Sequence, residues 1–379
     1  MIFNSLTFLY LCMLPCILIV IVVEAFLKKS KVRIPIQNVV LTVFSILFYV
    51  WGSVEQLKIL CGLIVINYVV GRFYKHKVIL LLGIAFNIGV LIYYKYINLI
   101  IEMLNEVLRG QINSIELLAP LGISFIIFQC ISYQMDLYQD SAKVCRNFLH
   151  YALYILYFPK IAQGPIVKYK DMIPQIQNRS VSFNGFIEGC ERFIIGLSKK
   201  VLIADVLAST VSDILQSVDI GMDAGTAWLG MICYTFQLYM DFSGYSDMAI
   251  GLSKMFGFQF HENFNFPYIS TSITEFWRRW HISLGAWFRE YLYFPLGGNR
   301  RGNVYINLFI VFLVTGIWHG AAGVYFLWGA LHGVCVVLER AFMKTGWYQK
   351  IPTFIKWVGT FLIVNIGWLA FWLPSVEPC

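Results

Sequence analysis

Leu6-Thr-Phe-Leu-Tyr-Leu-Cys-Met-Leu-Pro-Cys-Ile-Leu-Ile-Val-Ile-Val-Val23 carries no charge, and Lys28, Lys29, Lys31 and Arg33 follow it closely. A helix needs about 20 apolar residues to cross a hydrocarbon core of about 30 Å, and this run supplies them. It differs from a cleaved leader, because no basic region precedes it and no small-residue cleavage site ends it. It reads as a retained first span over residues 6–27. Comparable apolar blocks recur as far as Trp372 without a long polar linker. The further candidate spans are 36–52, 56–72, 78–97, 117–135, 148–166, 186–207, 226–250, 304–318, 321–342 and 353–373. Because 148–166 and 304–318 are short or interrupted by Pro and Gly, roughly nine to eleven membrane segments are expected, some of them re-entrant.

Composition agrees. Of 379 residues, 59% are hydrophobic and 13% charged, about half the ~25% charged residues of a soluble domain. Such a chain has too little polar surface to cover a water-soluble globule. The expected fold is an all-α polytopic transmembrane bundle, one membrane domain over 1–379 rather than two soluble ones. The formal charge of +8 resides largely in short loops between apolar blocks, as membrane topology requires. No solvent-facing basic domain is visible, so no nucleic-acid partner is expected. The nine cysteines are scattered and include no Cys-x-x-Cys pair, which supports neither a disulfide framework nor a zinc site. No phosphate-binding glycine loop, metal-ligand cluster or serine-hydrolase elbow occurs, so neither a metal nor a bound cofactor is expected.

The loops orient the chain. Lys28, Lys29, Lys31 and Arg33 lie two spans from Arg72, Lys75 and Lys77, hence on the same side, which the positive-inside rule makes cytoplasmic. The intervening Gly52-Ser-Val-Glu55 has no Lys or Arg, and Glu102, Glu106 and Glu116 dominate the loop after the fourth span. Both fit the outside, and the N-terminus is then extracytoplasmic.

Three polar stretches interrupt this pattern. In Ser270–Arg301, Ser272 and Glu275 form a capping box that should start a helix. Trp277, Trp280, Leu284, Trp287 and Tyr291 follow at spacings of three and four, one face of that helix, and Pro295 with Gly297-Gly298 ends it. Five arginines make the stretch too polar to span, so it should lie at the interface or dip into the bundle. An interfacial amphipathic helix explains most of it. That reading leaves out His281, one turn from Arg278, whose guanidinium would lower the imidazole's proton affinity and suit it to a base or hydrogen-bonding role.

In the second stretch, the apolar block Tyr305–Leu338 would be about 51 Å long as one helix, beyond a bilayer of about 30 Å. Gly316, Gly320 and Gly323 offer a break, and His319 sits there. Ionisable residues at membrane depth are functional hypotheses by default, and histidine suits general-base work near neutrality; a hydrogen-bonded core histidine is the alternative. His332 would face elsewhere on a continuous helix and reads as structural. The third stretch, Tyr239–Met248, carries Asp241 and Asp247 among small residues, which suits a hydrogen-bonded helix brace more than a cation site.

These stretches resemble the membrane-bound O-acyltransferase family. The matching blocks are Pro120–Phe125, Phe158–Tyr169, Met240–Asp247, Phe276–Arg300 and Thr315–Gly333, so the most specific core covers about 115–340. The resemblance implies re-entrant or interfacial helices around a central funnel, with His319 as the principal catalytic histidine and His281 as the second. It implies a cytoplasmic acyl thioester, such as acetyl-CoA, as co-substrate and a cell-envelope polysaccharide as final acceptor. It also implies an extracytoplasmic acyl-transfer partner protein and a place in the bacterial cytoplasmic membrane. Tyr291–Arg300 favours the alginate-type branch over teichoic-acid D-alanyl transfer. Alginate-type members continue beyond the point where this sequence stops, Leu373-Pro-Ser-Val-Glu-Pro-Cys379, so the expected domain is C-terminally shortened. Two readings from other classes are a solute or ion transporter, which the absence of repeat symmetry disfavours, and an inactive scaffold.

Overall fold

Lipid offers no partner to a backbone amide, so an apolar chain crossing it must satisfy its hydrogen bonds internally, and a single segment does so only as a helix. The computed structural model describes residues 3–110, 112–161, 163–216 and 221–372, and every regular element among them is helical. Among the described residues, six helices are long and apolar enough to span a membrane: α1 (Phe8–Leu27), α2 (Arg33–Gly52), α3 (Val54–Arg72), α4 (Lys77–Leu108), and the later Gly323–Phe342 and Thr353–Trp372. The chain is an integral membrane protein. The other expected spans appear as helices too short, too broken or too polar to be counted with these six.

The described residues fall into two compact units, 3–197 with 245–261, and 198–244 with 262–372. The first holds α1 to α4, then α5 (Ile123–Tyr138), α6 (Phe148–Leu156), α7 (Phe158–Ile161), α8 (Tyr169–Gln177) and α9 (Phe183–Ser198). The fourth span is longer than the sequence suggests. α4 runs on to Leu108 because Asn98 and Asn105 exchange paired hydrogen bonds with the backbones of Ile115 and Ile112, at 2.9–3.1 Å. These side chains fasten the returning strand of chain onto the helix. The expected span 148–166 is broken instead at Tyr157, since Pro159 has no N–H to continue the ladder. At that break Lys160 is fully buried, donating to Gln129 Oε1 at 2.6 Å with its ammonium 4.1 Å from the Tyr154 ring centre.

Amide side chains cross-link this unit. Asn67 and Asn87 exchange hydrogen bonds of 3.0 and 2.7 Å between α3 and α4, and Gln134 of α5 donates to Asn67 Oδ1 at 2.6 Å. All three are buried. Interhelical hydrogen bonds in membranes are worth about 0.6 kcal/mol on average, so the cluster fixes register more than it supplies stability. Buried Arg179 donates to Asn38 Oδ1 at 2.7 Å and to the Phe256 carbonyl at 3.1 Å. Asp247 pairs with Arg192 at 2.6 Å, the helix-bracing role expected of it.

The second unit contains α10 (Asp205–Gln216), most of α11 (Ala224–Met255), α12 (Ile273–Arg279), α13 (Ile282–Phe288), α14 (Val304–His319), α15 (Gly323–Phe342), α16 (Gly346–Lys350) and α17 (Thr353–Trp372). A π-helical turn, Lys199–Ala204, leads into α10, and its Lys200 contacts both Asp205 and Asp241. Asp241 is thus also a brace. The apolar block 305–338 folds back on itself as the α14–α15 hairpin. Its helices touch at glycines: a Cβ on Gly316 would collide with the Tyr325 carbonyl oxygen, and one on Gly329 would lie 2.6 Å from that of Phe312. Close backbone approach of this kind drives helix association where the hydrophobic effect is weak. Asn303 caps α14 through the amides of Tyr305 and Ile306, a contribution of about 1 kcal/mol.

Candidate active site

The stretch 270–301 begins as expected. Ser272 Oγ accepts from the Glu275 amide at 3.0 Å, and Glu275 reaches back to the Thr271 amide at 2.9 Å. A residue outside the stretch completes the cap: the carboxylate of Glu339, on α15, accepts from the amides of Ile273 and Thr274 at 3.1 and 2.8 Å. A helix start of this kind exposes unpaired N–H groups that favour an anion.

The single helix then fails. α12 ends at Arg279, and α13 starts only after His281, whose φ of 44° and ψ of 53° are left-handed. Non-glycine residues pay about 1–3 kcal/mol for sparsely populated conformations of this kind and persist in them only where their surroundings enforce it. Here segment 263–265 does so. The Asn265 amide donates to the Arg279 carbonyl and the Ile282 amide to the Asn263 carbonyl, each at 2.9 Å, which satisfies backbone groups freed by the break. The aromatic residues expected on one face are separated by the break and largely buried in protein, with Trp280 4.8 Å from Trp368 and Trp287 5.2 Å from Tyr291.

His281 is 4% exposed. Its Nδ1 lies 3.1 Å from Asn263 Oδ1, which also accepts from the Ser283 amide at 3.2 Å and the Ser283 hydroxyl at 2.8 Å. A backbone N–H can only donate, so the shared Asn263 atom is the oxygen and His281 Nδ1 carries the proton. Nε2 is left with its lone pair. Burial pushes the imidazole down to about 3, so the ring is neutral near pH 7. The cause differs from the one expected: desolvation lowers the proton affinity, while the Arg278 side chain points to the exterior.

His319 occupies the predicted break. α14 ends on it, Gly320 is extended, and α15 starts at Gly323. The half-buried imidazole stands in a box of aromatic rings, with Trp318, Phe371 and Trp328 at centroid distances of 4.8, 5.0 and 5.2 Å. His281 instead faces Phe242, at 4.7 Å. The aromatic neighbours of the two histidines are therefore different residues. Between them run the packed rings of Trp280, Trp368 and Phe371, at 4.8 and 5.7 Å, the first pair tilted and the second edge to face.

His332 departs from its sequence reading in direction. On one continuous helix it would turn away from His319, but the hairpin brings it against Trp328, the residue that also touches His319. Asn263 and Glu339 were missed altogether. Neither lies near in sequence to what it serves, His281 for Asn263 and the start of α12 for Glu339, and no periodicity marks them. Tyr268 is a third such residue: its carbonyl accepts from Trp357 and its hydroxyl from Trp368, at 2.8 and 3.1 Å, tying the segment before α12 to α17.

The fold and these sites define a polytopic, all-helical membrane protein with a histidine at a helix break and a second, neutral histidine held inside the protein. The model of the membrane-bound O-acyltransferase family matches residues 142–376, and the chain belongs to that family. It is an O-acyltransferase. It is 44% identical to the probable alginate O-acetylase AlgI of Pseudomonas putida over 88% of this chain and 71% of that protein. With the probable alginate O-acetylase AlgI of Azotobacter vinelandii it shares 40% identity over the whole of this chain and 76% of the relative. The peptidoglycan O-acetyltransferase of Helicobacter pylori is 36% identical over 89% of this chain and 71% of its own length.

Proposed function

We propose that this protein transfers an acetyl or similarly short acyl group from a cytoplasmic thioester, such as acetyl-CoA, toward a cell-envelope polysaccharide. His319 and His281 are the catalytic histidines, and residues 1–379 act as one domain. The observation that carries the reading is the placement of His319 at the end of α14, half-buried among aromatic rings beside an extended glycine. An alcohol is a poor nucleophile at neutral pH. As its oxygen bonds to the acyl carbon, the imidazole of His319 takes the hydroxyl proton, the carbon–sulfur bond breaks, and the thiolate leaves to be protonated. His281, neutral with Nε2 unprotonated, orients the donor. The alginate-type acceptor is favoured by the similarity to alginate O-acetylases and by Tyr291–Arg300; an extracytoplasmic partner protein then passes the group on.

Purified protein in proteoliposomes should release free thiol from acetyl-CoA only when an acyl acceptor is present. Turnover of neither acetyl-CoA nor another short acyl thioester would overturn the reading. The proposed setting is the bacterial cytoplasmic membrane with the N-terminus outside. Single cysteines should label at position 31 from the cytoplasm and at positions 53 and 106 from the exterior, and labelling of position 31 only from outside would reverse the orientation.

A further inference from the structure

His332 is wholly buried in α15, and neither ring nitrogen has a hydrogen-bond partner. That is unusual for an imidazole, since buried polar groups are ordinarily satisfied and each exception calls for a reason. Its surroundings give the ring a mechanical role. On one side stand Trp277 and Trp328, at centroid distances of 5.0 and 5.1 Å and nearly edge to face. On the other lies Gly367 of α17, where even a Cβ would come within 2.5 Å of His332 Nε2. The indole nitrogens of Trp277 and Trp328 are also buried without acceptors. The three rings are therefore arranged by shape alone, with no hydrogen bond to hold any of them in register.

Trp328 is the connecting part. Its ring touches His332 on one side and His319 on the other, at 5.1 and 5.2 Å. Phe371, one turn beyond Gly367 on α17, closes the arrangement by touching both Trp328 and His319, at 5.3 and 5.0 Å. We infer that His332 is a positioning residue: wedged between Gly367 and Trp328, it fixes the indole plane that orients the His319 imidazole. A five-membered ring fits this gap; a phenyl ring would press on the Gly367 backbone, and an aliphatic side chain would leave the indole free to tilt. This choice of residue accounts for an imidazole whose nitrogens bind nothing. The inference rests on the reading of His319 as the base.

The test uses the full-length protein in proteoliposomes with acetyl-CoA and acceptor, comparing His332→Ala and His332→Asn with the parent and with His319→Ala. Misplacing a reacting group by about 1 Å costs about a hundredfold. Both His332 variants should therefore lose about ten- to a hundredfold in kcat, while KM for acetyl-CoA changes less than about threefold. A residue that only stabilises the fold would reduce the amount of active protein, not the turnover of the folded fraction counted by active-site titration. His332→Asn keeps a planar, polar side chain and guards against a variant that fails to fold. Gly367→Ala, which removes no group and pushes the ring from behind, should give the same split. Parental kcat in folded His332→Asn and Gly367→Ala, with His319→Ala inactive, would overturn the inference alone. Parental activity in His319→Ala would instead overturn the reading on which it rests.

Discussion

His281 and His319 lie in the same half of the molecule, yet they are held by opposite means. His281 is fixed by polar contacts: a left-handed backbone, an asparagine oxygen on Nδ1, and a shell so dry that the ring stays neutral. His319 is fixed by aromatic faces and by the end of its helix, and it keeps part of its surface open. A hydrogen bond selects a tautomer, whereas rings packed edge to face constrain a plane. The arrangement around His319 suits a group that must gain and lose a proton during turnover, and that around His281 suits one kept in a single state.

The largest effect that could break this contrast is at His319. His319→Ala should abolish measurable acyl transfer while leaving expression and detergent-extracted folding intact, since a positioned general base contributes about 10²–10⁴-fold. Transfer at the parental rate by a folded variant would make this histidine a core brace and remove the mechanism.

A smaller loss is expected on the other side. His281→Ala should reduce turnover by up to about 100-fold, the cost of misplacing a reacting group. Asn263→Ala should reproduce part of that loss, because it removes the acceptor that fixes Nδ1–H and frees the ring to adopt the other tautomer. Steady-state thiol release measured for both variants decides the point. If Asn263→Ala is silent while His281→Ala is impaired, the tautomer is immaterial and the ring acts through its bulk.

The smallest effect is a pH dependence. The folded-state value of His281 is depressed to about 3, against about 6.5 in an unfolded chain. The unfolded state therefore binds the extra proton first as pH falls. The stability this neutral ring permits is fully present above about 6.5 and declines progressively from there toward 3. Thermal melts in detergent should show the parent losing more stability between pH 7 and 4 than His281→Asn does. Parallel curves would mean that this ring is solvated in the folded protein.

Much of this was legible in the sequence, for reasons that are local. Four apolar runs in the first third of the chain predicted α1 to α4, because backbone hydrogen bonds in lipid must close within one helix. The overlong block 305–338 predicted its own break, since 34 residues of helix exceed the bilayer and three glycines mark where the chain can turn. The family motifs identified the enzyme class. Ser272 and Glu275 announced the start of α12. These are all arguments about lengths, caps and spacing, and a linear sequence contains them.

Tertiary structure decided what happens between distant residues. The periodicity of Trp277, Trp280, Leu284, Trp287 and Tyr291 suggested one helix, but the backbone of Asn263 and Asn265 pairs across Trp280–His281 and makes the break affordable. The hairpin, not helical phase, set the direction of His332: folding α15 back onto α14 placed Trp328 between two histidines that helical phase alone would have turned apart. Asp241 and Asp247 were readable as braces, yet their partners Lys200 and Arg192 were not, because charge pairing depends on proximity in space. The sequence by itself determined the helices, their approximate lengths and the chemistry available to them. Which face met which, and so which imidazole is dry and which stands open among aromatic rings, was decided by packing, where glycine contacts and side-chain shape act over distances that sequence separation does not record.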